Sequence, residues 1–358
     1  MLKTILLTCM LGVGQIVNAQ KAPQLNVVAT PSERNWNGIA VSNDNRLFAN
    51  FPRFDKASDN PSLVEIKDGK EIPFPQNEWN MWQPGKNPEN AFVSLNALYI
   101  NRDDNHLWVI DPGDPFFEGN IPGAPKVVEI DLATNKVINV FLMDNQMAPQ
   151  GSHLNDIRID GHWAFITDSG TGAILVLNRD TKKVRRLLAN SQVTKADPNA
   201  QAYIDGYRLQ DKNGKAPVSN ADQIELSPDK KTLYFMGSFG PNLYRVTVAD
   251  LLNENLSENE LAQKVSIDRK MKPVGGIVMD KKGNLYLSEI ETGTIRCESP
   301  DKKTLWTIKD KRLVWPDAYS IAPDGTFYLV VAQISSMPKM RGGKDLRKPP
   351  YYIFSFKP

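Results

Sequence analysis

Residues 154–169 read LNDIRIDGHWAFITDS. An apolar residue is followed by an Asn-Asp pair, an alternating run, a Gly, and an aromatic-rich run ending in Thr-Asp-Ser. Asn and Asp are disfavoured in strands, yet here they open one. The stretch recurs in outline. WNGIAVSNDNRLFANF begins at Trp36, LNALYINRDDNHLWVIDPG at Leu95 and ADQIELSPDKKTLYFMGSFG at Ala221. VGGIVMDKKGNLYLSEIETG follows from Val274 and PDAYSIAPDGTFYLVVAQ from Pro316. Each copy has a polar or Gly position, an alternating run, a turn rich in Asp, Asn, Gly or Lys, and then a β-branched and aromatic run. Aligned on the first polar position, the copies start at Asn37, Asn96, Asn155, Asp222, Gly275 and Asp317, spaced by 59, 59, 67, 53 and 42 residues.

Short alternating runs bounded by tight-turn residues are strands joined in hairpins. A repeat of this length holding four strands is a propeller blade, and six copies predict an all-β, six-bladed propeller. Helical periodicity is confined to VADLLNENLSENELAQ (248–263), where Leu251, Leu252, Leu256 and Leu261 suit one short helix inserted in blade four. The sixth copy is one strand short, and LNVVAT (25–30) precedes the first copy without a blade of its own. Pairing that segment beside YYIFSF (351–356) closes the ring and removes an exposed edge.

In a propeller the first strand of each blade lines the central channel. The six register positions therefore read either as a ring around an axial cavity or as strand caps bonded to the next blade. On the first reading Asn37, Asn96, Asn155, Asp222 and Asp317 face a ligand, with Trp36 and Trp315 flanking. Asn155, Asp222 and Asp317 are then the weak candidates for metal ligands, with Ca²⁺ the ion that such oxygens suit. His153 lies two residues before Asn155 and shares its strand face, so it is the candidate general base. Asp168 and Ser169 lack the surroundings of a catalytic serine, and the histidines are too scattered for zinc. Two long connections, 74–92 and 191–220, are candidate rim loops.

The run LWVIDPG (107–113), then APKVVEIDLATNKVI (124–138), LNDIRID with AFITDSGTGAILVLNRDT (164–181), ELSPDKKTLYFMGSFGPNLYRV (225–246) and LLNENLSENEL resemble, in that order, the major royal jelly protein and yellow family. The resemblance spans about Trp36 to Val331 and implies a six-bladed propeller. It also implies one of that family's roles: binding biogenic amines, dopachrome conversion, or a nutritional or structural part. More distantly the chain is similar to the gluconolactonase and senescence-marker propellers, which hold a divalent metal on the axis and open sugar lactones. Asn155-Asp156 matches their third-blade pair. Asn37 stands where they carry an acid, Asp222 where they carry Asn, and Gly275 where they carry Asp.

Three functions are thus in play: a small-molecule binder, a lactonase-like or dopachrome-converting enzyme, and a protein-interaction propeller. With 43 Lys and Arg against 41 Asp and Glu, the chain has a net charge of only +2, without the basic excess of a nucleic-acid binder. Hydrophobic residues at 41% are enough for a large core. Residues 1–19 read as a signal peptide, with Lys3, an apolar run from Ile5 to Val17 and a Val-Asn-Ala cleavage pattern. Residues 20–358 then form one propeller domain, exported to the periplasm or outside the cell, without a membrane span and acting as a monomer. Only Cys297 remains in that domain, so no internal disulfide supports it.

Overall fold

A computed structural model describes residues 21–29, 32–55 and 59–358; the expected signal peptide lies outside the described residues. Six four-stranded antiparallel sheets are arranged as blades. Their inner strands are Ile39–Val41, Ala97–Asn101, Leu154–Asp160, Gln223–Leu226, Val274–Met279 and Pro316–Ile321. Each inner strand touches the next, and the first touches the sixth, so the ring is closed. Closure of the sheet is also as the sequence implies. Blade six takes Asn26–Val27 as its outermost strand, with Asn26 opposite Ser355 and Val27 opposite Phe354.

Burial follows position in the blade. The second and third strands of blade three, Trp163–Asp168 and Ala173–Asn178, lie between neighbouring sheets and are almost wholly buried. Strands covered on both faces need apolar residues at successive positions, which is why WAFITD and AILVLN lose the alternation of a half-exposed strand. Outer strands such as Lys70–Pro73 and Ser266–Lys270 are largely exposed and charged. Between blades two and three, Trp108, Ile110, Leu154, Ile157, Ile166 and Leu175 belong to one continuous apolar cluster.

Polar groups fix the loops that lead into the inner strands. The Asp111 carboxylate accepts the backbone N–H groups of Val93 and Ser94 at 2.8 and 2.9 Å, and Lys126 meets it at 2.9 Å, both side chains fully buried. Asp168, one blade on, accepts the N–H of His153 at 2.9 Å and the hydroxyl of Ser152 at 2.7 Å, and pairs with Arg186. Asp168 is therefore a loop anchor. Ser169 accepts from the Asn155 amide and donates to the His153 carbonyl, so no Ser-His-Asp triad forms.

The opening question has a geometric answer. In blades three, five and six the strand register shifts at the same place: between Leu154 and Ile157, Val274 and Ile277, and Pro316 and Tyr319. Asn155-Asp156, Gly275-Gly276 and Asp317-Ala318 are thus bulge pairs, which leave the ladder and can turn their side chains aside. The Thr167 hydroxyl fills the space in blade three, accepting from Asp156 N–H at 3.3 Å and donating to the Asp222 carbonyl at 2.6 Å.

Two expectations are corrected. The blade-four insertion is two helices, Val248–Leu252 and Glu258–Lys264, each with its own N-cap, Thr247 and Ser257. Ser257 and Glu260 form a full capping box, which starts a new helix in place of a continuation. The aromatic residues of the 74–92 loop pack into the core: Phe74, Trp79 and Phe92 join one cluster, and Trp82 another. That loop does not offer them to a channel mouth.

Candidate functional site

The ring residues meet on the axis. Asn37 donates through Nδ2 to the Asn96 carbonyl at 2.7 Å and to Asn96 Oδ1 at 3.2 Å; Asn96 Nδ2 in turn donates to the Asn155 carbonyl at 2.9 Å. These amides therefore stitch blade to blade, as the capping reading expects. Asp222 and Asp317 behave differently. Asp317 feels the charges of Asp222 and Asp156, and Asp222 feels those of His153 and Asp156. Carboxylates from blades three, four and six thus lie within electrostatic reach of one another. Gly275 is needed for packing: a Cβ there would collide with the Pro316 carbonyl oxygen of blade six.

Lower in the channel, the Arg158 guanidinium bonds Asp156 at 2.9 Å and Glu225 at 3.1 Å and lies 5.4 Å from the Tyr99 ring. It neutralises those two carboxylates and leaves Asp317 without a cationic neighbour among the described residues. Removal from water pushes the Asp222 carboxyl up to about 6, against stabilising hydrogen bonds from Ser219 and Ser238. Burial, reinforced by Asp222, raises Asp317 well above the usual range. Among the described residues no hydrogen-bond donor reaches the Asp317 carboxylate.

At the mouth, His153 Nδ1 lies 3.2 Å from Asp114 Oδ2, and Nε2 lies 3.4 Å from Asn96 Oδ1. Its ring stacks on Phe117 at 5.9 Å, and Phe117 stacks on Phe54 at 5.0 Å. Lys339 Nζ stands 3.0 Å from the Phe117 ring centroid. Burial brings this amine down to about 7, partly opposed by Asp114 and Asp222. Sequence reasoning found His153 and the ring but missed Asp114, Phe54, Phe117 and Lys339. They lie in loops without a repeat, and no pattern in the sequence marks them. Trp36 is 1% exposed and stacked on Phe51 at 4.4 Å, and Trp315 is 4% exposed against Phe239. Packing uses both indoles, and neither presents a face to the channel. The 191–220 connection holds a hairpin, Tyr203–Ile204 and Tyr207–Arg208, which packs Ile204 with Trp315 and Met340.

Calcium is the ion that oxygens of this kind suit. Asn155, Asp222 and Asp317 offer oxygens, but Asn96 Oδ1 already accepts from Asn37, and Gly275 offers no side-chain ligand. A hard cation takes six to eight oxygens, so these residues do not make a closed cage. The tight group Asp104, His106 and Glu129 is no better. Arg179 pairs with both of its carboxylates at 2.7 Å and takes the place of a cation.

Among solved structures the chain is similar to a regucalcin described as a calcium-binding protein from Agrobacterium tumefaciens, at 14% identity and TM-score 0.52, covering 93% of this chain and 92% of that one. It is also similar to a gluconolactonase from Xanthomonas campestris, at 13% identity and TM-score 0.53, covering 94% and 90%. A streptogramin B lyase matches at 11% identity and TM-score 0.52, covering 94% and 97%. At such identities the likeness carries the fold alone. No curated protein matches. The family model described as Major royal jelly protein matches residues 93–340, well over half of the sequence, and the chain belongs to that family.

Proposed function

We propose that this propeller binds a small organic cation, an aromatic amine, in the upper half of its axial channel. One observation carries the reading: Asp222 and Asp317 repel each other in a site where removal from water raises both, and Asp317 has neither a cationic neighbour nor a hydrogen-bond donor among the described residues. Two like charges in such a place repel each other, and an ammonium between them relieves both the repulsion and the desolvation. Phe54 and Phe117 at the mouth supply flat faces for an aromatic ring. The test is calorimetric titration with tryptamine and with tryptophol, which carries a hydroxyl in place of the ammonium. Tryptamine binds, tryptophol binds at least tenfold more weakly, and Asp317→Asn removes the difference. Equal affinities would refute the reading.

A second reading, acid–base catalysis on a lactone or a dopachrome-like indole, is favoured by the 3.2 Å contact between His153 and Asp114. A carboxylate there fixes the tautomer and leaves Nε2 toward the channel. A panel of sugar lactones and dopachrome-like indoles, with and without Ca²⁺, tests it; turnover lost in His153→Ala supports it, and no turnover removes it. Docking of a protein on a propeller face has less support, since the large exposed apolar side chains Met81, Ile267 and Leu346 lie on different parts of the ring. We also propose export directed by residues 1–19; the mass of the mature protein, beginning at Gln20, checks it.

A further inference from the structure

Among the described residues, the buried or half-buried lysines near the loops are capped by oxygens, with one exception. Lys126 meets Asp111 and the carbonyls of Pro88 and Ala124. Lys195 donates to the carbonyls of Thr171, Gly172 and Ala189. Lys339 is held as firmly by its chain, between the buried Met337 and Met340, with Arg341 bonded to the Ser335 carbonyl at 2.8 Å. Yet its Nζ has no acceptor among the described residues and rests on the face of Phe117. An amine built in this way does no structural work that a methionine would not do.

The wall it rests on is unusual. Phe116 and Phe117 both have positive φ, 65° and 56°, a conformation that bulky residues rarely adopt and that costs about 1–3 kcal/mol per residue. The Phe116 N–H donates to the Arg53 carbonyl at 2.8 Å and ties this turn to the loop of blade one. The turn sets the Phe117 ring against both the amine and His153. The ionisable groups acting on the amine are Asp114 from blade two and Asp222 from blade four.

We propose that Lys339 is a carbonyl-reactive amine, forming a protonated imine with a small aldehyde or ketone that enters the channel mouth. The neutral Nζ adds to the carbonyl carbon, and the C=O pair moves to oxygen, which takes a proton. Nitrogen gives up a proton, and the carbinolamine hydroxyl, once protonated, leaves as water. The C–O double bond is broken and a C–N double bond is made, and the nitrogen, keeping its remaining hydrogen, is left as the iminium cation. Solvent water carries these protons, while Asp114 and Asp222 act on the amine through their charges. The cation forms in the field of Asp222, the carboxylate left unpaired in the channel below. With the amine at about 7, about half of it is neutral at pH 7, against roughly one in a thousand for an ordinary lysine.

Reductive trapping tests this on the full chain: benzaldehyde with sodium cyanoborohydride, followed by peptide mapping. At pH 7 Lys339 is labelled at least tenfold faster than the exposed Lys183 and Lys303, and its rate levels off above pH 7 while theirs climbs toward pH 10. Lys339→Arg and Lys339→Met leave only the background labelling, and two variants guard against a folding defect in either. Labelling of Lys339 no faster than that of Lys183 overturns the proposal. Tryptamine titration of the same sample separates the two readings: binding without selective labelling sinks the imine alone.

Discussion

Replacing Asp222 with Asn should stabilise the unliganded protein at neutral pH and leave it almost unchanged in acid. The carboxyl rises from 3.8 in a free chain to about 6 in the fold. Two units at about 1.4 kcal/mol each make a penalty of about 3 kcal/mol on the ionised form. For an acid whose folded value is raised, the associated stability is complete below 3.8 and is lost as pH rises through 6. Asp222→Asn removes the ionisation and hence the loss. The hydrogen bonds from Ser219, at 2.5 Å, and Gln223, at 3.0 Å, weaken on substitution, by about 1 kcal/mol. That cost is present at every pH, so it cancels when the effects at two pH values are compared. Urea unfolding of both proteins at pH 4 and pH 8 gives the comparison. The variant should gain about 3 kcal/mol relative to the parent between the two. An equal effect at both would mean that Asp222 is not held in a desolvated site, and the electrostatic argument for the channel would fail.

Other substitutions probe separate parts of the account. Asp317→Asn should raise stability at pH 8 in the same direction and abolish the preference for tryptamine, read by thermal unfolding with and without the amine. Lys126→Met strands the fully buried Asp111 carboxylate and should cost about 3–5 kcal/mol in denaturant unfolding; Asp111→Asn combined with it should recover part of that. Gly275→Ala forces a methyl against the Pro316 carbonyl and should cost about 1–3 kcal/mol. A neutral result there would mean that blades five and six are not in the close contact described.

The architecture was legible because a blade repeats. Six aligned starts, from Asn37 to Asp317, define strand order and ring closure without any knowledge of distant contacts. The short N-terminal strand was legible by elimination, since blade six lacked an edge. What the ring does was harder to read. Asn37, Asn96 and Asn155 look like Asp222 and Asp317 in sequence, yet the Asn37 and Asn96 amides bond the next blade, the Asn155 amide bonds Ser169 of its own blade, and Asp317 accepts no hydrogen bond from the described residues. Bulges after Leu154, Val274 and Pro316 make part of that difference, and nothing in the local pattern marks a bulge except an unusual polar or Gly pair. The mouth was illegible for a simpler reason. Asp114, Phe117, His153 and Lys339 come from three blades and 225 residues of chain, and each sits in a loop with no counterpart elsewhere in the ring. The tryptophans misled because a bulky aromatic beside a polar start fits a binding wall and a blade interface equally well.

The account rests on a cation seated between Asp222 and Asp317, and proton release on binding tests it most directly. An ammonium there lowers both carboxyls, so at pH 6 tryptamine binding should expel roughly half a proton or more per site. Calorimetry in buffers of different ionisation enthalpy measures this, and the release should persist in Lys339→Met and shrink in Asp222→Asn. Binding of tryptamine with no proton released, unchanged by Asp222→Asn, would contradict the account.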